Sequence, residues 1–123
     1  MFDHVEYQVS DYRTVRTFYS SCLAPLGWRL IKDEPAAGVL GYSPDRFVRL
    51  HLTALGRVMP LLHVAFAAQS PQQVDDFFAA GLGAGGRGNG APGVRAYGTP
   101  YYAAFLLDPD GHNIEAVFRG EAR

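Results

Sequence analysis

The chain has 123 residues, 48% of them hydrophobic and 19% charged, with a formal net charge of −1. That balance excludes a disordered chain, and folding at this length buries roughly two thirds of the unfolded surface, enough for one domain with its own core. The sequence has no basic stripe for nucleic acid and no apolar run near the roughly 20 residues of a membrane span. Met1-Phe2-Asp3-His4 lacks the basic-then-apolar pattern of a secretion signal, and a lone Cys22 cannot form an internal disulfide, so a cytoplasmic protein is expected.

Residues 4–9 alternate as a strand, with Val5, Tyr7 and Val9 on one face and His4, Glu6 and Gln8 on the other. Ser10-Asp11 offers helix-capping oxygens. Val15, Phe18, Tyr19, Cys22 and Leu23 then recur at helical spacing, which predicts an amphipathic helix over 12–24, ended by Pro25 and Gly27. Strands are predicted over 28–33, 38–42 and 47–53, with a turn at Ser43-Pro44-Asp45. Residues 54–60 form a link. A strand over 62–68 follows, then a helix capped by Ser70-Pro71 with Val74, Phe77 and Phe78 on its apolar face. Gly81, Gly83, Gly85 and Gly86 stop that helix, and the stretch 83–93 reads as a mobile loop. Strands over 101–107 and 113–118 flank the turn Asp108-Pro109-Asp110-Gly111, and the tail 119–123 is expected to fray.

The chain repeats itself. His4-Val5-Glu6-Tyr7 and His63-Val64-Ala65-Phe66 are offset by 63 − 4 = 59 residues, and the same offset carries Phe18-Tyr19 onto Phe77-Phe78 and Gly27 onto Gly86. The reading is α+β: strand, helix and about three strands, written twice within one domain, as module one (about 1–56) and module two (about 57–123). Helices covering one sheet face leave the other open to a ligand.

Strand parity sorts the polar residues. Val48, Leu50 and Leu52 face the helix, and Arg49, His51 and Thr53 face the cleft. In the last strand Asn113, Glu115 and Val117 share the open face. The repeat makes His4 equivalent to His63, and parity makes His51 equivalent to Glu115. Counting from the turns, six residues on from Pro109 is Glu115 but six from Pro44 is Leu50, so this second position is either His51 or lost at Leu50. Imidazole and carboxylate donors suit one divalent metal, zinc, nickel, cobalt, manganese or iron. Glu115 is also the candidate catalytic base, with Glu6, Gln8 and Asn113 available to orient the imidazoles. Arg49, Tyr101 and Tyr102 are candidate substrate-binding residues. Arg95 is a second candidate for an anionic group, and Tyr42 and Tyr97 are candidates for stacking on a flat ligand. His112, opposite in parity to Glu115 and beside a turn, is expected to be exposed. Cys22, on the apolar helix face, reads as a buried inert thiol.

Several segments together resemble the vicinal oxygen chelate superfamily of glyoxalase I, extradiol dioxygenases, fosfomycin-resistance proteins and bleomycin-binding proteins. They are His4 through Asp11, Phe18-Tyr19, Leu23-Ala24-Pro25-Leu26-Gly27-Trp28, His63-Val64-Ala65-Phe66, Asn89-Gly90-Ala91-Pro92-Gly93, Tyr101 through Phe105 and Asp108 through Val117. The likeness to small bacterial glyoxalase-like members covers almost the whole chain. It implies two βαβββ modules forming a curved, incomplete barrel, and metal ligands at His4, His63 and Glu115 with a fourth at His51 unless Leu50 occupies that place. It also implies homodimers. The function expected is a divalent-metal-dependent lyase/isomerase or dioxygenase acting on a small oxygen-bearing substrate. The alternative is a non-catalytic binder of a drug or aromatic compound, of the bleomycin-resistance type. Neither reading calls for nucleic acid or membrane.

Overall fold

The computed structural model describes residues 2–56, 58–97 and 100–120. Module one runs β1 (Val5–Gln8), α1 (Tyr12–Leu23), β2 (Arg29–Glu34), β3 (Val39–Ser43) and β4 (Leu50–Thr53). Module two repeats the order with β5 (His63–Ala67), α2 (Pro71–Gly83), β6 (Arg87–Val94), β7 (Tyr102–Leu107) and β8 (Asn113–Phe118). Each module is a four-stranded sheet, β1-β4-β3-β2 and β5-β8-β7-β6, and among the described residues no barrel closes. The first strand of each module pairs parallel with the last, and the remaining pairs are antiparallel. The α+β class and the βαβββ repeat read from the sequence are the observed fold.

The helices form where caps and apolar spacing coincide. The Asp11 carboxylate accepts from the Thr14 amide at 2.9 Å, filling one of the free first-turn donors, and α1 buries Val15, Phe18, Tyr19, Cys22 and Leu23. Its last turn tightens to a 3-10 turn over Ala24–Leu26 and stops at Gly27, whose φ of 86° is left-handed. Ser70 caps α2 through the Gln73 amide at 3.1 Å. The two helices touch where Gly81 leaves room. A Cβ there would stand 3.3 Å from the Cys22 Cβ and only 2.2 Å from Leu106 Cδ1. One core takes residues from both modules: Phe18, Leu23, Leu40, Leu50 and Leu52 with Phe66, Phe77, Leu106 and Ile114. Each such fully buried side chain contributes about 1.5–3 kcal/mol of apolar transfer.

Two expectations are corrected here. The glycine-rich stretch 83–93 is no loop, because Arg87–Val94 is the edge strand β6, paired with β7 across irregular register at Gly90 and Gly93. Turn-forming composition lost to edge pairing, which tolerates glycine, irregular register and a proline such as Pro92. His112 is not exposed but 1% accessible. It sits at the junction of the modules, where Nδ1 accepts from the Leu62 amide at 3.0 Å and Nε2 donates to the Gln8 carbonyl at 2.9 Å. Beside it the Tyr19 hydroxyl donates to Asp108 Oδ2 at 2.7 Å and meets the Tyr7 hydroxyl at 2.8 Å. Burial pushes both phenols well above the usual tyrosine range. Of the tail, residues 121–123 lie outside the described residues. Among the described residues, no helix is long and apolar enough to cross a membrane.

Candidate functional site

The register shows which residue of β4 is equivalent to Glu115 of β8. Val5 pairs with Leu50, an offset of 50 − 5 = 45, and His63 pairs with Asn113, an offset of 113 − 63 = 50. His4 therefore has His51 two places beyond its partner (4 + 45 + 2), as His63 has Glu115 (63 + 50 + 2). Leu50 lies on the helix side, 1% accessible. Turn counting misleads because the β3–β4 connection, residues 44–49, is one residue longer than the β7–β8 connection, residues 108–112. The extra length is taken up by a turn in which Asp45 Oδ1 accepts from the Phe47 amide at 2.9 Å.

In module one, His4 and His51 line one cavity of about 210 Å³ with Lys32 and Val48. His4 Nδ1 bonds to Asp3 Oδ1 at 2.8 Å, and His51 Nδ1 lies 3.4 Å from Glu6 Oε1. A carboxylate beside Nδ1 holds the proton there and leaves the Nε2 lone pair free. His51 Nε2 is buried and has no hydrogen-bond partner among the described residues.

In module two, Glu115 is 2% accessible and both of its oxygens are engaged. His63 Nε2 meets Oε1 at 2.9 Å, and the Tyr101 hydroxyl donates to Oε2. Burial, then the bond to Glu115, pushes the Tyr101 phenol up to about 12, so it remains a donor near neutrality. Phe105 pairs with Glu115 across β7–β8, and its ring lies 6.2 Å from that of His63.

The donor chemistry fits a divalent metal, and the bare Nε2 of His51 has the form of a vacant ligand. Within one chain, however, the donors form two pairs, one per module. Among the described residues no group of three or more His, Cys, Asp or Glu converges. The other candidates scatter. Arg49 is held by Asp45, with Nη2 to Oδ2 at 3.1 Å, and by Asp3 at 3.2 Å. Tyr102 lies on the helix side, its hydroxyl donating to Asp75 Oδ1 of α2 at 2.7 Å, away from Glu115. Tyr42 is buried in the core, its hydroxyl 2.9 Å from Ser20 Oγ, while Tyr97 is exposed and packs edge-on against Tyr101. Cys22 is buried, which pushes its thiol pKa far up. Sequence reading missed Arg119, consigned to the tail, whose guanidinium lies 4.7 Å over the Tyr101 ring. Its parity with Glu115 and Val117 was the signal.

The family model for the glyoxalase/bleomycin resistance protein/dioxygenase superfamily matches residues 1–116. The chain belongs to that superfamily. A glyoxalase/bleomycin resistance protein from Albidiferax ferrireducens T118 is 32% identical, with 97% of this chain and 98% of that one covered and a TM-score of 0.79. A glyoxalase-related enzyme from Fulvimarina pelagi is 18% identical over 96% of this chain and 87% of that one, TM-score 0.73. A glyoxalase I mutant from Zea mays is 24% identical over 94% of this chain and 43% of that one, TM-score 0.65. The last two likenesses show the superfamily fold alone. No curated protein matches the chain.

Proposed function

We propose that this superfamily member is a divalent-metal-dependent lyase/isomerase or dioxygenase acting on a small oxygen-bearing substrate, with His4, His51, His63 and Glu115 as the metal ligands. The observation that carries the reading is the equivalence of His51 and Glu115 in register, with a buried, unpartnered imidazole nitrogen at His51. A complete ligand set needs the two pairs to meet. A homodimer in which module one of one copy faces module two of the other would bring them together. When bound, the metal supplies Lewis acidity to a substrate oxygen. The chain's own residues do the rest. Asp3 bonds to His4 Nδ1 and Glu6 stands 3.4 Å from His51 Nδ1, so that each imidazole would turn Nε2 to the metal. Tyr101 donates to Glu115 Oε2 and fixes that carboxylate, leaving Oε1 to take up a proton once His63 turns away.

A second reading, a non-catalytic binder of a drug or aromatic compound, draws on a cavity of about 370 Å³ lined by Phe2, Val5, Trp28 and Pro44 beside His4. Elemental analysis of protein purified without an affinity tag separates the two. The enzyme reading expects about one transition metal per chain, lost in both His51→Ala and His63→Ala. A wild type that takes up none of Zn²⁺, Ni²⁺, Mn²⁺ or Fe²⁺ overturns it in favour of the binder.

A further inference from the structure

We infer that the open face of module two binds the anionic group of a small ligand, a carboxylate or phosphate, through Arg95 and Arg119. The inference rests on reading the surroundings of Glu115 as the substrate site.

A chain of contacts runs from one guanidinium to the other. Arg119 lies over Tyr101, Tyr101 bonds to Glu115, Glu115 to His63, His63 packs beside Phe105, and Arg95 lies 5.5 Å over Phe105. Register puts these residues on one face. Antiparallel partners of β7 and β8 sum to 102 + 118 = 220, so Tyr101 stands opposite Arg119 as Phe105 stands opposite Glu115. Across β6 the Arg95 amide donates to the Tyr101 carbonyl at 2.8 Å.

Among the described residues neither guanidinium faces a carboxylate, whereas Arg16 is neutralised by Asp33 and Arg49 by Asp45 and Asp3. An aromatic ring beneath a guanidinium holds its plane without cancelling its charge, so the N–H groups not already bonded stay available to a carboxylate or phosphate. The seat of Arg95 is built by β6 itself. Its Nη2 donates to the Ala91 carbonyl at 2.6 Å. A Cβ at Gly93 would stand 3.0 Å from Nη1, and one at Gly90 would stand 3.2 Å from Nη2 and 2.9 Å from Phe105 Cδ1. The glycines of this strand therefore let Arg95 fold back over Phe105 toward the Glu115 face.

The test is a titration followed by NMR of arginine Nε–H and backbone amide signals. Three phenyl compounds are used: benzoate, phenyl phosphate and benzamide, the uncharged isostere of benzoate. Benzoate or phenyl phosphate is expected to move the Arg95 and Arg119 signals, and the tighter of the two names the anion. Arg95→Met and Arg119→Met should each weaken that anion about tenfold, the loss of one charge-assisted bond. Gly93→Ala keeps the charge but displaces the guanidinium, and should weaken it in the same direction. Arg29→Met, on the opposite sheet edge, should change nothing. Benzamide binding as tightly as the anions, affinity unchanged in both arginine variants, or no binding of either anion overturns the inference. Titrations with and without added metal keep the two readings apart: failure to take up any metal defeats the enzyme reading, and arginine-independent binding defeats this one.

Discussion

Tyr19→Phe removes a single oxygen from the centre of the molecule. The Asp108 carboxylate can only accept, so Tyr19 donates to it and the Tyr7 hydroxyl must donate to Tyr19. The substitution keeps the ring and leaves Tyr7 without an acceptor and Asp108 Oδ2 without a donor. A bond to a carboxylate is worth about 1.5–3 kcal/mol and a neutral one about 0.5–1.5 kcal/mol, so the expected loss is about 3 kcal/mol, or about 10 °C in Tm. Urea and thermal unfolding measure it. Burial already raises the Asp108 carboxyl above its ordinary value of 3.8, and the Tyr19 bond opposes that shift. A raised acid favours the fold below its unfolded pKa, and the advantage is lost as pH rises through the folded one. Removing Tyr19 raises Asp108 further, so the deficit should grow as pH rises from the ordinary carboxyl value of 3.8 through the folded one. Once Tyr19 is phenylalanine, Tyr7→Phe should cost little more, giving a coupling of about 1 kcal/mol or greater in the double-mutant cycle. A Tyr19→Phe variant within about 0.5 kcal/mol of wild type, or strictly additive losses, would refute the reasoning.

Two simpler expectations accompany it. Asp11→Ala should cost about 1 kcal/mol by uncapping α1, measured by urea unfolding, with the loss of Thr14 amide protection read by hydrogen exchange. Asp45, lowered to about 2 by the Phe47 amide and then by Arg49, should lend stability above the ordinary carboxyl value that disappears as pH falls through about 2. Its carboxyl carbon titration by NMR, and a flatter acid limb of the stability profile in Asp45→Asn, check that direction.

The helices and the faces of the strands were legible because they rest on local rules. The helical spacing of Val15, Phe18, Tyr19, Cys22 and Leu23 with the Asp11 cap, and the alternation of Leu50-His51-Leu52, each carry their own geometry. That His63 and Glu115 both lie on the open face followed from parity plus the repeat, and their direct contact is added by the structure. Tyr102 could have been sorted by the same parity, since it alternates with Ala103 and joins Ala104 and Leu106 on the helix side. Contacts between modules left no local trace. His112 is polar and follows a turn, and only the Gln8 carbonyl and Leu62 amide, far off in sequence, explain its burial. β6 was hidden because its glycines answer to the bulk of Arg95 and Phe105 rather than to strand propensity.

The hydrogen-bonded ladders close within each module, and among the described residues no strand pair joins one sheet to the other. At the seam, Val5 faces Val64 through Ala67 across a gap of about 160 Å³ with no ladder between. Each half can thus change strand by strand without disturbing the other's register. Their outer edges differ accordingly. β2 guards its rim with Arg29, Lys32, Asp33 and Glu34, the usual defence of an edge against unwanted pairing. β6, its counterpart, carries no such charged fence: Gly90 and Gly93 leave a hollow in which an arginine rests.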